Sequence, residues 1–137
     1  AAGGVLGHAG TFNNNVVSMS AAIATLTHEL DPAAINEVND RGDRLRQALT
    51  DVFTDTGAPL TVTGMGSMLC IHAEDDRYLQ LVFHAALDDG LYLARRGFMA
   101  LSMAVTDTHC DALVESVRRW ATTGWTSPEI AEPPTRA

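Results

Sequence analysis

The strongest structural signal in the chain is the stretch His8-Ala9-Gly10-Thr11-Phe12-Asn13-Asn14-Asn15-Val16-Val17-Ser18-Met19. It runs from small residues through a hydroxyl and three amides into an apolar pattern with helical spacing. Asparagines suit a turn and the capping position of a helix, and Gly10 allows close approach of the backbone to a ligand. The unpaired N–H groups of a first helical turn also attract anions such as phosphate. The stretch therefore predicts the start of a helix. That start is either an ordinary helix N-terminus or one that binds a phosphate group.

Two helices are predicted after this start. Apolar residues recur at helical spacing from Val16 to Leu30, with small alanines beside them. Asp31-Pro32 then places a capping residue directly before a proline, which is a strong signal for a second helix. That helix ends at Gly57-Ala58-Pro59. Its charged face is typical of a solvated surface with weak ion pairs.

Strand patterns follow the second helix. Strands are predicted at residues 60–63 and 67–73 on either side of a glycine-rich break or bulge. Two more are predicted at 91–93 and 98–103, on either side of a turn at 95–97. Together they indicate a small, largely antiparallel sheet.

Two further helices lie among these strands. Asp75 or Asp76 caps a third helix, which Gly90 closes. Thr106 or Asp107 caps the last helix, and a proline-containing tail follows it. The element order predicts an α+β fold in which helices pack on the sheet.

Charge and composition exclude several function classes. The formal net charge is −8, which argues against a nucleic-acid partner or an anionic membrane surface. No apolar run approaches the length of a membrane span. All nine basic residues are arginine, and arginine stays protonated. Because lysine is absent, these residues alone cannot complete chemistry that needs a side-chain Schiff base.

Metal binding is not predicted. Cys70 and Cys110 are too far apart for a metal motif, and the five histidines show no close pairing. Each cysteine stands in an apolar pattern, which predicts two buried free thiols and a cytoplasmic protein.

Three stretches carry a resemblance to a known family: residues 7–16 with the alanine-rich helix, residues 62–68, and residues 96–103 with Thr106-Asp107. In their order and separation, the chain resembles the C-terminal part of a class III (fold type I) pyridoxal-phosphate (PLP) aminotransferase. The similarity extends from His8 to about Thr122. Within the class it is greatest to the β-amino-acid (β-phenylalanine type) aminotransferases.

Glutamate-1-semialdehyde 2,1-aminomutases are close relatives in this resemblance. They tend to have Ser-Gly-Asn-Pro where this chain has Asn13-Asn14-Asn15-Val16. The turn Arg96-Gly97-Phe98 also supports an aminotransferase. The sequence therefore favours the aminotransferase over an aminomutase fragment.

The resemblance implies a domain organisation. Residues 1–15 are expected to form an interdomain segment that contacts the cofactor phosphate, and residues 16–30 an interdomain helix. Residues 31–122 are expected to form the C-terminal small domain of a fold type I PLP enzyme, followed by a tail at 123–137.

The resemblance also implies site residues. Members are homodimers with active sites at the subunit interface, where Thr11, with Gly10 and Phe12, would contact the phosphate of PLP held mainly by the partner subunit. Arg96 would bind the carboxylate of an amino acid or keto acid, because a guanidinium makes two parallel hydrogen bonds to a carboxylate. No catalytic residue is expected in this chain, since the family's Schiff-base lysine, pyridine-facing aspartate and stacking aromatic residue lie upstream of the Thr11 motif.

Two function classes remain open. The chain is either the C-terminal portion of a transaminase with a ping-pong mechanism, inactive alone, or a free-standing, non-catalytic α+β module for binding or dimerisation. The start in mid-domain and the missing lysine favour the first. A free-standing module would be expected to cover the apolar face of the helix at 16–30. If the large domain is missing, that helix needs a partner surface, which predicts self-association of the isolated chain.

Overall fold

The computed structural model describes residue 10 and residues 15–123. Thr11 and Phe12, two of the three predicted cofactor contacts, lie outside the described residues, as does the predicted tail. All four predicted helices are confirmed within two residues at each end. The elements are α1 (Val16–His28), α2 (Pro32–Thr56), β1 (Leu60–Met65), β2 (Met68–Ala73), α3 (Asp76–Asp88), β3 (Phe98–Ala100) and α4 (Asp107–Thr122).

The chain divides into two compact units after Glu37. The first contains α1 and the beginning of α2. Asn15 caps α1, because its side-chain Oδ1 accepts a hydrogen bond from the Ser18 N–H at 3.0 Å. Asp31 caps α2 in the same way, with Ala34 N–H as the donor at 2.8 Å. Both helix starts follow the polar side chains that predicted them.

Helix α1 exposes its apolar residues. None of its thirteen residues is buried. The side chains of Val16, Val17, Ile23 and Leu26 are between 64% and 76% exposed. In a soluble helix, such a face needs a covering surface.

The second unit is built on a three-stranded antiparallel sheet in the order β1-β2-β3. Leu60 pairs with Ala73 and Met65 with Met68, so that a two-residue turn joins β1 and β2. The glycine-rich break is therefore a tight hairpin turn at residues 66–67, and no bulge interrupts β1. The predicted α+β fold, with a small antiparallel sheet packed by helices, is confirmed.

Two strand predictions were wrong, one in extent and one altogether. The strand predicted at 98–103 ends at Ala100, which pairs with Met68, the first residue of β2. Leu101 N–H donates to Ser67 O at 2.8 Å, and there the hairpin turns away from β3. The strand predicted at 91–93 does not form; Leu91 N–H instead donates to Ala86 O and closes the end of α3.

The hydrophobic core lies on one face of the sheet, against α2, α3 and α4. Side chains of that face alternate with exposed ones along each strand, as expected for a sheet covered on one side. Core residues from all three helices and from β2 are at most 4% exposed: Leu49, Val52, Leu69, Ile71, Val82 and Val117.

The hairpin turn is held by side chains of α2. Asp43 Oδ1 accepts from Gly66 N–H at 3.2 Å, and Asn39 Oδ1 accepts from Ser67 N–H at 3.0 Å. These bonds satisfy backbone donors that the strand ladder leaves unpaired.

An ion-pair network joins α2 to the start of α4. Asp107 Oδ1 accepts from Arg41 Nε at 3.1 Å and from Arg44 Nη2 at 2.8 Å. The hydrogen bonds from Arg44 and Arg41 hold the pKa of the Asp107 carboxyl below its usual value. Asp107 also suits the first turn of α4, where a negative charge complements the helix dipole.

The two cysteines are free, in different surroundings. Cys110 is buried, as predicted, and burial raises the pKa of its thiol. Cys70 is only half-buried, because its side chain lies on the face of the sheet opposite to the core that α2, α3 and α4 cover, here called the uncovered face. The cytoplasmic location stays a prediction.

Candidate substrate-carboxylate site

The predicted turn at residues 95–97 is confirmed and is fixed to the sheet. Gly97 N–H donates to Ala94 O at 2.8 Å, which closes the turn. Ile71 N–H in β2 then donates to Gly97 O at 2.9 Å. Gly97 has a φ of 79°, a conformation that favours glycine. Backbone hydrogen bonds therefore set the place where Arg95 and Arg96 leave the chain.

The two arginines of this turn lie over different aromatic rings. The Arg95 guanidinium carbon stands 4.9 Å from the centroid of Phe83, a ring of α3. The Arg96 guanidinium carbon stands 5.5 Å from the centroid of Phe98, the first residue of β3. Both distances are those of cation–π contacts. Although Arg95 and Arg96 are adjacent in the sequence, their guanidinium groups therefore lie on different parts of the surface.

Arg95 and Arg96 also differ from the other described arginines. Among residues 15–123, no carboxylate lies within ion-pair distance of either guanidinium. Each of the six remaining described arginines is paired with an aspartate: Arg41 and Arg44 with Asp107, Arg46 with Asp43, Arg77 with Asp75, Arg118 with Asp55, and Arg119 with Asp89. In a chain of net charge −8, two guanidinia over rings leave their N–H groups available for an anionic ligand.

The uncovered face of the sheet lies beside Arg96. Phe98 and Cys70 are register partners on this face. The Cys70 Sγ lies 3.7 Å from the carbonyl oxygen of Arg96. Sequence reasoning identified Arg96 but missed both neighbours. The signal that would have found them is strand alternation, which places Phe98 opposite to buried Met99.

An apolar cavity of about 260 Å³ borders the turn on the side of α4. Its lining is formed by residues 91–94, β3 and the beginning of α4, and it includes His109 and Cys110. The His109 Nδ1 accepts a hydrogen bond from Thr106 N–H at 3.0 Å, so this imidazole caps α4. With no arginine in its lining, the cavity lacks the guanidinium fork that suits a carboxylate.

Of the predicted phosphate contacts, only Gly10 belongs to the described residues, and it is exposed. The first turn of α1 contains no acidic residue, so nothing there repels an anion.

Two kinds of feature are absent from the described part of the chain. It contains no group of three or more histidine, cysteine, aspartate or glutamate side chains that would hold a metal ion. Within the same residues, no helix has the length and apolarity needed to cross a membrane.

The family pattern of the aminotransferase class-III proteins matches residues 2–120. The chain belongs to this family. Class-III aminotransferases depend on PLP, and the fold agrees with that membership. The resemblance predicted from the three sequence stretches is confirmed.

Among its relatives, the aminotransferase chain is 35% identical to the β-phenylalanine transaminase of Variovorax paradoxus, over 83% of this chain and 29% of that protein. It is 31% identical to a glutamate-1-semialdehyde 2,1-aminomutase of Desulforudis audaxviator, over 79% of this chain and 28% of that protein. The chain thus spans less than a third of the length of these relatives.

The solved structures that resemble this chain are transaminases as well. A β-phenylalanine aminotransferase from Variovorax paradoxus superposes with a TM-score of 0.78 at 34% identity, covering 88% of this chain and 31% of that one. An ω-transaminase from Sphaerobacter thermophilus gives 0.74 at 25% identity, over 85% and 30%. A transaminase with PLP bound shares the fold, with a TM-score of 0.72 at 23% identity, over 87% and 31%.

The two ends of PLP make different demands on this chain. The absence of acidic residues from the first turn of α1 suits the phosphate group. The aldehyde end needs an amine, and the chain contains no lysine. Without a lysine, these residues cannot form the Schiff base to the cofactor themselves.

Proposed function

We propose that this chain is part of a PLP-dependent aminotransferase that moves an amino group between a β-amino acid and a keto acid. The observation that carries the proposal is the Arg96 guanidinium, which stands over a ring without a carboxylate partner among residues 15–123. Similarity to a β-phenylalanine transaminase, at 35% identity, supports the β-amino acid as substrate. PLP, when bound, supplies the electron sink for the reaction.

Arg96 is the proposed carboxylate-binding residue. Its guanidinium has donors in a planar fork, which match the two oxygens of a carboxylate. The turn is fixed to β2 through Gly97, so the arginine starts from a rigid base. Substrate is thereby oriented by this chain, while the proton transfers belong to residues outside it.

Kinetics of the complete enzyme test this role. Arg96→Ala is expected to lower kcat/KM for the amino acid by about 10- to 100-fold, because a charge-assisted bidentate contact is lost. Arg96→Lys keeps the charge and loses the fork, so an intermediate value is expected. Arg95→Ala is the matched control and should stay within about twofold of the parent. Equal losses for Arg95→Ala and Arg96→Ala would contradict the assignment.

The phosphate contact is proposed for Thr11, with Gly10 and Phe12 beside it. Thr11→Ala removes a hydroxyl donor and is expected to raise the Kd for PLP by about tenfold. Ser18→Ala, a hydroxyl deletion in the first turn of α1, is the control. An unchanged Kd in Thr11→Ala would overturn this contact.

We also propose that the chain acts within a homodimer and has no activity alone. The exposed apolar face of α1 supports association, and the absence of lysine supports inactivity. In sedimentation equilibrium, the isolated chain is expected to exceed its monomer mass of 14.6 kDa, and Ile23→Glu to reduce association. A monodisperse monomer over a wide concentration range would overturn the self-association.

The intact mass of the native product separates an enzyme portion from a free-standing module. A product several times heavier than 14.6 kDa, carrying lysine-bound PLP, is expected for a working transaminase. A native product of 14.6 kDa would leave a non-catalytic binding or dimerisation module. Turnover by the isolated chain would overturn its proposed inactivity.

An aminomutase is the second candidate, because a glutamate-1-semialdehyde 2,1-aminomutase is 31% identical. The two reactions differ in their products. A transaminase releases a keto acid and consumes a second one, whereas an aminomutase isomerises its substrate. Conversion of glutamate-1-semialdehyde without an amino acceptor would favour the aminomutase.

A further inference from the structure

We propose that Phe98 is the positioning residue for Arg96: its ring holds the guanidinium in the orientation that binds the substrate carboxylate. This inference rests on the proposed function of Arg96. The guanidinium carbon lies 5.5 Å from the ring centroid. That contact joins a cation of the turn to the first residue of β3.

Phe98 is itself firmly placed. It pairs in register with Cys70 of β2, and the next residue, Met99, is buried in the core at 8% exposure. Strand alternation therefore directs the Phe98 side chain to the uncovered face of the sheet. The ring is 37% exposed, so one of its surfaces is available to a ligand-binding cation.

A ring is a better support for this arginine than a carboxylate. An aspartate partner would occupy the N–H donors of the guanidinium, and substrate would have to displace it. A ring face attracts the cation from above or below the guanidinium plane, which leaves the N–H groups at its edge unoccupied. Within residues 15–123, six other arginines have aspartate partners, whereas Arg96 has this ring.

The contact also lowers the entropic cost of binding. A free arginine side chain populates many rotamers, and ordering it on substrate binding opposes affinity. Restriction over the Phe98 ring removes part of that cost beforehand. The expected signature is an effect on KM that depends on the presence of the Arg96 guanidinium.

The test is a double-mutant cycle in the complete enzyme. Phe98→Leu keeps an apolar side chain and removes the aromatic face. It is expected to raise KM for the amino acid about three- to tenfold, with kcat within about twofold. Phe98→Tyr keeps the face and should restore the parent KM. Met68→Leu, an exposed apolar exchange on the same sheet face, is the control.

Arg96→Ala completes the cycle. In that background, Phe98→Leu is expected to change KM by less than about twofold, because no guanidinium remains to position. An equal rise in KM with and without Arg96 would overturn the inference. If Arg96→Ala raises KM and Phe98→Leu does not, the inference is wrong and the proposed function of Arg96 stands. If Arg96→Ala leaves KM unchanged, both fail.

Discussion

Gly42 of α2 packs directly against Gly66 of the β1–β2 turn. A Cβ atom at residue 42 would lie 2.1 Å from the Gly66 carbonyl oxygen and 2.9 Å from the Cα of Ser67. Both neighbours are backbone atoms, so they cannot rotate away. The helix and the hairpin therefore approach as closely as they do because residue 42 has no side chain.

Gly42→Ala tests this packing through the sign of its effect. Helix propensity alone predicts a stabilisation of about 1 kcal/mol. The backbone clash predicts the opposite, a loss of about 1 to 3 kcal/mol in the free energy of unfolding. Thr50→Ala, an exposed change in the same helix, is the control and should be neutral or slightly stabilising. Urea denaturation measures both; a more stable Gly42→Ala would contradict the close approach.

Gly97→Ala is expected to disturb the arginine-bearing turn. The residue has a positive φ, and a Cβ atom there would lie 2.1 Å from the Ile71 carbonyl oxygen. The expected loss is about 2 kcal/mol or more in the free energy of unfolding. Gly57→Ala is the matched control, since φ is 65° there and no atom lies within 4 Å. Equal losses in the two variants would show that strain alone accounts for the effect.

Asp107 gives the protein a stability that depends on pH. Because its pKa is lowered in the folded state by Arg44 and Arg41, the unfolded chain binds a proton at higher pH than the folded one. This contribution is complete above the unfolded pKa of about 3.9 and is lost as pH falls through the lowered folded pKa. Asp107→Asn is therefore expected to flatten the fall in melting temperature below about pH 4. If, below about pH 4, the melting temperature of Asp107→Asn falls as steeply as that of the parent, the result would contradict a stabilising role for the Arg41–Asp107–Arg44 ion pairs.

Leu49 tests the core. Its side chain is fully buried among residues of the sheet and helices. Leu49→Ala is expected to lower the free energy of unfolding by about 2 to 5 kcal/mol through lost transfer energy and the cavity left behind. Leu87→Ala removes the same atoms at a site that is 45% exposed, and should cost less than about 1 kcal/mol. Similar losses at the two positions would contradict the assigned core.

The helices and the fold class could be predicted from the sequence because their signals are local. Asn15, Asp31 and Asp75 are polar caps that accept hydrogen bonds from backbone N–H groups two or three residues later. Strand lengths were harder. Residues 101–103 could continue β3 only if β2 extended beside them, and β2 begins at the hairpin turn. The end of β3 is therefore set by a part of the chain that is distant in the sequence.

In the candidate site, too, the features with local signals were predicted and those that depend on distant residues were not. Arg96 was identified from a short motif, and the turn that presents it was predicted from its own residues. The ring contact of Arg95 involves Phe83 of α3, which lies outside the motif. Phe98 belongs to the motif, but the motif alone does not show that its ring contacts the Arg96 guanidinium. Strand alternation places Phe98 on the sheet face opposite to buried Met99, and the structure adds the pairing of Phe98 with Cys70 on that face.

The turn at residues 94–97 is closed and anchored by main-chain atoms, through Ala94, Gly97 and Ile71. The backbone shape of the turn therefore does not depend on which side chains occupy positions 95 and 96. If Arg96 binds the substrate carboxylate as proposed, substitutions at positions 95 and 96 are expected to change what the turn binds while the backbone that presents these residues keeps its shape.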